Sequence, residues 1–232
     1  MRTVVLFIVY VLIAILLIPV IIFCFLVRWP QPLIPLGKGT VRLGQWIMGM
    51  RLEVSGLENV DKKASYVFMC NHLSALDGPL LFMIIPQPIR VILKKESFRI
   101  PIIGQAMRLV SFVPVDRKGL KGGKKSIDQA TRLIKEKGYS FLIFPEGTRS
   151  RDGKLQLFKR GGFFLALNGQ VPVVPVSIQG TFELMPKASF FIKKGRVKIN
   201  FHPVVPVQGL NHDTLPQLMD KVRGAVQSGL DE

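Results

Sequence analysis

Residues 3–27 form an unbroken run of uncharged, mostly apolar positions between Arg2 and Arg28. As a helix rising about 1.5 Å per residue, the run covers roughly 37 Å, enough to cross a hydrocarbon core of about 30 Å. Its length, and the lack of a small-residue cleavage site in Val27-Arg28-Trp29-Pro30, argue against a removable signal peptide. Pro19 can kink such a helix, so a segment dipping into one leaflet is the alternative to a span. Residues 30–36, with Pro30, Pro32 and Pro35, read as a stiff connector. Positions 38–50 then carry a helical pattern, with Val41, Leu43, Trp46, Ile47 and Met50 apolar and Lys38 and Arg42 charged. That pattern fits a helix at a bilayer interface or one packed on a core.

Beyond residue 52 the pattern alternates between short β-rich runs and amphipathic stretches. Strands are expected at 66–70, 89–93, 112–115, 139–144 and 171–178. Helices are expected at 80–85, 126–137, 162–168 and 214–228, with Ser126 as an N-cap and Gly138 as a stop. Residues 189–202 read as a hairpin turning at Lys193-Lys194-Gly195. This alternation predicts an α/β domain, a mixed central sheet covered by helices, behind an N-terminal membrane-anchoring helical segment. The expected division is residues 1–50 for the anchor and 51–232 for the α/β domain. There is no internal repeat and no low-complexity segment.

The chain carries 32 Lys and Arg against 15 Asp and Glu, a formal charge of +17. Such a surplus favours anionic partners. The apolar N-terminus moves the expectation from nucleic acid to anionic membrane lipids and phosphorylated substrates. Lys38, Arg42 and Arg51 close behind the apolar run place the domain on the cytoplasmic side of the cell membrane by the positive-inside rule. Two cysteines, Cys24 and Cys70, make no disulfide framework, and His72, His202 and His212 are too scattered for a metal cluster. No metal is expected.

Two segments carry chemistry. In Asn71-His72-Leu73-Ser74-Ala75-Leu76-Asp77, an imidazole follows a predicted strand, and a carboxylate lies five residues on. Open α/β sheets bind ligands at such strand ends, and a carboxylate beside histidine makes an oriented general base. Five residues along one continuous helix differ by about 140° net, so contact between His72 and Asp77 requires a turn between them. Ser74-x-x-Asp77 resembles a capping box, whereas Pro79 favours a later helix start, with Asp77 as cap. In Phe144-Pro145-Glu146-Gly147-Thr148-Arg149-Ser150, an apolar strand runs into a turn where Gly147 allows close backbone approach. There Arg149 can grip a phosphate and Thr148 can add a donor.

Together, Asn71-His72-x4-Asp77 and Phe144-Pro145-Glu146-Gly147-Thr148-Arg149-Ser150 resemble the paired signature of the glycerolipid acyltransferases, in particular the 1-acyl-glycerol-3-phosphate acyltransferases. Val113-Pro114-Val115-Asp116-Arg117 and Val171-Pro172-Val173-Val174-Pro175-Val176 resemble the family's remaining motifs, in the family's order, across roughly residues 52–205. Val113-Pro114-Val115 carries a proline where the family more often has an apolar residue.

The resemblance implies transfer of a fatty acyl group from a thioester, acyl-CoA or acyl carrier protein, to the sn-2 hydroxyl of lysophosphatidic acid, giving phosphatidic acid. It implies His72 as general base and Asp77 as the group orienting it, with no acyl-enzyme and no cofactor beyond the thioester co-substrate. Arg117 and Arg149 would bind the glycerol phosphate, and Glu146, Gly147 and Thr148 would shape that pocket. Lys94 opens a Lys-Lys-Glu block near the reacting centre, with Lys95 as an equal candidate for steadying the oxyanion.

Other patterns fall short of their motifs. The run 117–126 lacks the glycine that a phosphate-binding loop needs before its lysine, since position 124 is lysine; it reads as a flexible basic loop facing anionic lipid or donor phosphates, or as a solvated one. Gly138-Tyr139-Ser140-Phe141-Leu142 lacks the last glycine of a nucleophile elbow. His202 and His212 read as structural or surface residues. The alternatives in play are another acceptor, glycerol 3-phosphate or a different lysolipid; a non-catalytic module on anionic membranes; and ester or thioester hydrolysis, against which the absence of a placed serine or cysteine nucleophile counts.

Overall fold

In the computed structural model, which describes residues 2–116 and 120–231, the chain opens with α1 (Arg2–Leu26) and α2 (Leu33–Met48) and enters β1 (Met50–Ser55). It continues through β2 (Val67–Cys70), α3 (Asp77–Ile84), β3 (Ile89–Lys94), α4 (Ile103–Leu109), β4 (Val113–Val115), α5 (Leu120–Lys137), β5 (Ser140–Ile143) and α6 (Gly161–Gly169). It ends with β6 (Val173–Gln179), α7 (Thr181–Leu184), β7 (Gly195–Phe201) and α8 (Leu215–Asp231). Among the described residues the seven strands form one sheet ordered β1-β7-β6-β2-β5-β3-β4. Every pair is parallel except β6 with β7.

Val67-Phe68-Met69-Cys70 has no polar position because both faces of β2 are covered, as in parallel sheets generally. Phe68 and Cys70 join one core with Leu80 and Leu81 of α3, Met48 of α2, and Ile199 and Phe201 of β7. Val67 and Met69 join the other, with Ala130 and Ile134 of α5, Phe163 and Leu165 of α6, and Val222 and Val226 of α8. The expected α/β sheet, covered by helices on both faces, is the observed fold.

Pro175 stands inside a central strand, a position proline normally avoids. The missing N–H falls on the β7 side, where the Pro175 carbonyl accepts from His202 N–H at 3.0 Å. The continuous antiparallel ladder begins one residue later, at Val176.

Several expectations are corrected. Residues 189–202 hold one strand rather than a hairpin, because β7 already has β1 on one side and β6 on the other. The basic run after Arg117 is helical from Leu120, so Ser126 is not an N-cap; its hydroxyl donates to Pro114 O at 2.7 Å and Gly122 O at 3.1 Å. Gly122 lets the helix start there, since a Cβ would press on the Asp116 carbonyl at 2.7 Å. α2 begins at Leu33, inside the expected connector, and α3 begins at Asp77 rather than Leu80. In α3, Pro79 sits in the first turn, where a missing N–H costs little. β1, α4 and α7 were not foreseen.

α1 and α2 form an antiparallel pair. Arg2 Nη1 donates to Met48 O at 3.2 Å, and Tyr10 Oη to Thr40 O at 3.3 Å. Between them Gly44 faces Leu6 and Tyr10, and a Cβ there would collide with the tyrosine hydroxyl. α2 lies along the domain, with Lys38 Nζ donating to Ile85 O at 2.6 Å and Met48 buried. α1 keeps most of its apolar surface exposed, including Phe7, Leu12, Leu16, Phe23 and Leu26. It is long and apolar enough to cross a membrane.

Candidate active site

β2 and β5 are neighbours and parallel, so the segments leaving their carboxyl ends land side by side. β2 delivers His72 and β5 delivers Phe144 to Arg149. Two backbone contacts join these segments: His72 N–H donates to Glu146 Oε1 at 2.7 Å, and Ser150 N–H donates to His72 O at 2.8 Å. The histidine's main chain is thus held on both sides by the second motif.

The chain makes the required turn between His72 and Asp77. Asp77 Oδ2 accepts from His72 Nδ1 at 2.9 Å and from the backbone N–H groups of Leu73 and Ser74, both at 2.7 Å. The carboxylate therefore does not cap its own helix; it folds the preceding turn and orients the ring at once. It is fully buried, and its other oxygen has no partner among the described residues. With Nδ1 committed to Asp77, Nε2 is left to carry the lone pair that takes a proton. The Phe144 ring stacks on the imidazole, with centroids 4.0 Å apart and planes 18° from parallel.

His72 opens on a cavity of about 560 Å³. Lys94, Gly147, Thr148, Arg149, Lys159 and Lys187 line it, and so do apolar groups including Val91, Leu93, Val115 and Ile127. The amino-terminal turns of α3, at Gly78 and Pro79, and of α6, at Gly161 and Gly162, also reach the wall. Four cations and the amino-terminal turn of α6 make the cavity suited to an anion. Lys187 Nζ donates to Thr148 Oγ1 at 3.1 Å and to Arg149 O at 3.0 Å, bracing the turn in which Gly147 holds φ = +76°.

Glu146 does not line the cavity. It lies beneath, 2% exposed, and shapes the site through the His72 backbone. Burial raises its carboxyl from 4.5 to about 7, against hydrogen bonds from His72 and Gln156 that pull it down, with the Asp77 charge adding to the rise. Buried acids next to a second carboxylate behave this way.

Lys94 faces the cavity, while Lys95 points to Asp116 at 3.9 Å and is not part of the wall. Arg117 lies outside the described residues. His202 is buried against Ser177 Oγ at 2.6 Å, and His212 stacks on Phe164; neither is at the cavity. The free thiol of Cys70 is buried, and that burial raises its pKa well above the usual value, so it is no nucleophile. Among the described residues no group of ligands could hold a metal. Sequence reasoning missed Lys159, Lys187 and the stacking role of Phe144. Isolated lysines in so basic a chain carry no local signal, and Phe144 read only as the end of a strand.

Comparison with known proteins agrees with this fold. The family model described as Acyltransferase matches residues 51–179. A 1-acyl-sn-glycerol-3-phosphate acyltransferase of Limnanthes douglasii is 34% identical over 188 residues, which cover 79% of this chain and 66% of that protein. The protein of that name from Borreliella burgdorferi is 27% identical over 84% of this chain and 77% of its own length. Among solved structures, the 1-acyl-sn-glycerophosphate acyltransferase PlsC of Thermotoga maritima superposes with a TM-score of 0.84 at 25% identity. That match covers 99% of this chain and 93% of that one.

Proposed function

This chain belongs to the acyltransferase family, and on that footing we propose that it moves a fatty acyl group from a thioester to the sn-2 hydroxyl of lysophosphatidic acid, giving phosphatidic acid. The observation that carries the reading is the buried Asp77 carboxylate on His72 Nδ1, with the ring facing a cavity shared by Arg149, Lys159 and Lys187. An alcohol acceptor that bears a phosphate needs both parts, a base for the hydroxyl and cations for the anion.

In this mechanism the cations and the α6 amino terminus hold the phosphate, and the apolar wall takes an acyl chain. His72 Nε2 removes the hydroxyl proton as the oxygen attacks the thioester carbonyl. The C–O bond forms, and the carbonyl electrons move to an oxyanion beside Lys94. Collapse breaks the C–S bond, and the imidazolium returns its proton to the departing thiolate. Asp77 stabilises the imidazolium between these steps. No residue is acylated.

Coenzyme A and acyl carrier protein present the same reacting thioester, so the chemistry is the same for either donor. We read α1 and α2 as the membrane attachment, with the domain on the cytoplasmic side. Because α2 lies along the domain and α1 runs antiparallel to it, a helix pair embedded in one leaflet fits the packing better than a perpendicular span. The anionic lipid surface then complements the +17 charge.

The test pairs both donors with lysophosphatidic acid and with glycerol 3-phosphate, using purified protein and a His72→Ala control. Phosphatidic acid from lysophosphatidic acid, lost in the control, is the expected result. Preference for glycerol 3-phosphate would move the acceptor, and activity equal in the control would end the reading.

A further inference from the structure

The segment between α7 and β7 connects the cavity to the first helix. At one end Ser74 Oγ donates to Met185 O at 2.7 Å, and Lys187 braces Thr148 and Arg149. At the other, Ile192 N–H donates to Thr3 Oγ1 at 3.2 Å, Thr3 Oγ1 donates to Ile192 O at 3.4 Å, and Lys193 N–H donates to Leu184 O at 2.9 Å. Between these anchor points stand Phe190 and Phe191, 88% and 71% exposed. Ser189 Oγ bonds both the N–H and the carbonyl of Phe191 at 3.0 Å, so the tip is formed and not merely loose.

Single apolar residues on a surface are ordinary; two adjacent phenylalanines on a tied-down tip are not. The segment's Ile192 meets α1 at Thr3, next in sequence to the exposed Val4 and Val5, so the tip stands beside the start of an exposed apolar helix. Lys187, Lys193 and Lys194 flank the tip in sequence. Aromatic tip, basic flanks and a neighbouring apolar helix together match a bilayer interface, with rings among acyl chains and ammonium groups at headgroup phosphates.

We propose that Phe190 and Phe191 insert into the lipid bilayer as a second attachment point, one that seats the Lys187 side of the cavity against the membrane surface. A lysolipid then reaches the cavity without leaving the headgroup layer. Only this last clause rests on the acyltransferase reading; the insertion itself does not.

The experiment uses the full chain with Trp29 and Trp46 replaced by phenylalanine and a single tryptophan introduced as Phe190→Trp. It is bound to vesicles of phosphatidylcholine and phosphatidylglycerol. Quenching by acyl-chain-brominated lipid, together with protection from aqueous acrylamide, is expected. A tryptophan that stays open to acrylamide and unquenched on protein that sediments with the vesicles overturns the proposal. So does protection that arises without lipid, on adding acyl carrier protein or on raising the protein concentration. Should the tryptophan replacements impair folding, an environment-sensitive dye on Phe190→Cys reads the same insertion, Cys24 and Cys70 being buried. In a second arm, Phe190→Ser/Phe191→Ser lowers turnover of vesicle-embedded lysophosphatidic acid about 10-fold and leaves a short-chain, water-dissolved analogue unchanged. Equal loss on both substrates would overturn the seating role. An inactive parent enzyme would count against the acyltransferase reading alone, because the quenching result stands without turnover.

Discussion

The backbone N–H of His72 donates to the side chain of Glu146, 2.7 Å away and 74 positions further along the chain. This hydrogen bond ties the segment carrying His72 to the turn carrying Gly147, Thr148 and Arg149. Glu146 does not line the cavity, so the bond's role is to hold the two segments in register.

Glu146→Gln keeps an oxygen for His72 N–H and removes the titration. The carboxyl is raised in the folded protein from 4.5 to about 7, so its contribution to stability is complete below pH 4.5 and is lost as pH rises through about 7. Glu146→Gln is therefore expected to melt above the parent at pH 8, by roughly a few degrees, with the difference closing toward pH 4.5. Thermal melts across that range check it; a difference independent of pH would remove the titration from the account.

For His72→Ala we expect turnover to fall by about 100- to 10,000-fold, the usual contribution of a general base. Asp77→Asn should also lower turnover, because the amide no longer offers a negative charge to the imidazolium. Sedimentation with vesicles should be unchanged in both. Full turnover by Asp77→Asn would leave that residue as a turn-former only.

Arg149→Ala is expected to raise the KM for the phosphorylated acceptor about 10-fold or more, the scale of a charge-assisted hydrogen bond. Lys187→Ala should raise it less, since part of its role is to brace the Thr148–Arg149 turn. Steady-state kinetics with varied acceptor decides; unchanged KM in Arg149→Ala would rule out the phosphate assignment.

Phe144 keeps the imidazole flat against its own ring. Phe144→Ala should reduce kcat about 3- to 10-fold, in line with the worth of an aromatic pair, with little change in KM. Phe144→Tyr should retain most of the turnover. A loss confined to KM would show that the ring contacts substrate instead of positioning His72.

Much of this protein is decided locally. The apolar run at residues 3–27, the covered strand Val67–Cys70 and the helix around Ala130 and Ile134 are legible because burial demands one period of apolar positions. The His72–Asp77 contact and the place of Arg149 at the cavity were legible too, since an imidazole with a nearby carboxylate and an arginine after a glycine turn are short-range patterns. Tertiary structure alone decided which residues share a wall. Lys159 and Lys187 reach the cavity because α6 and the segment after α7 return to the carboxyl ends of β2 and β5, and nothing in their neighbours announces it. Lys94 was separated from Lys95 by the direction in which each leaves the end of β3. The hairpin expected near Lys193 failed because β1, more than a hundred positions earlier, had already taken the free edge of β7. Periodicity records what each segment must bury; partners distant in sequence are chosen by the packing of the whole chain.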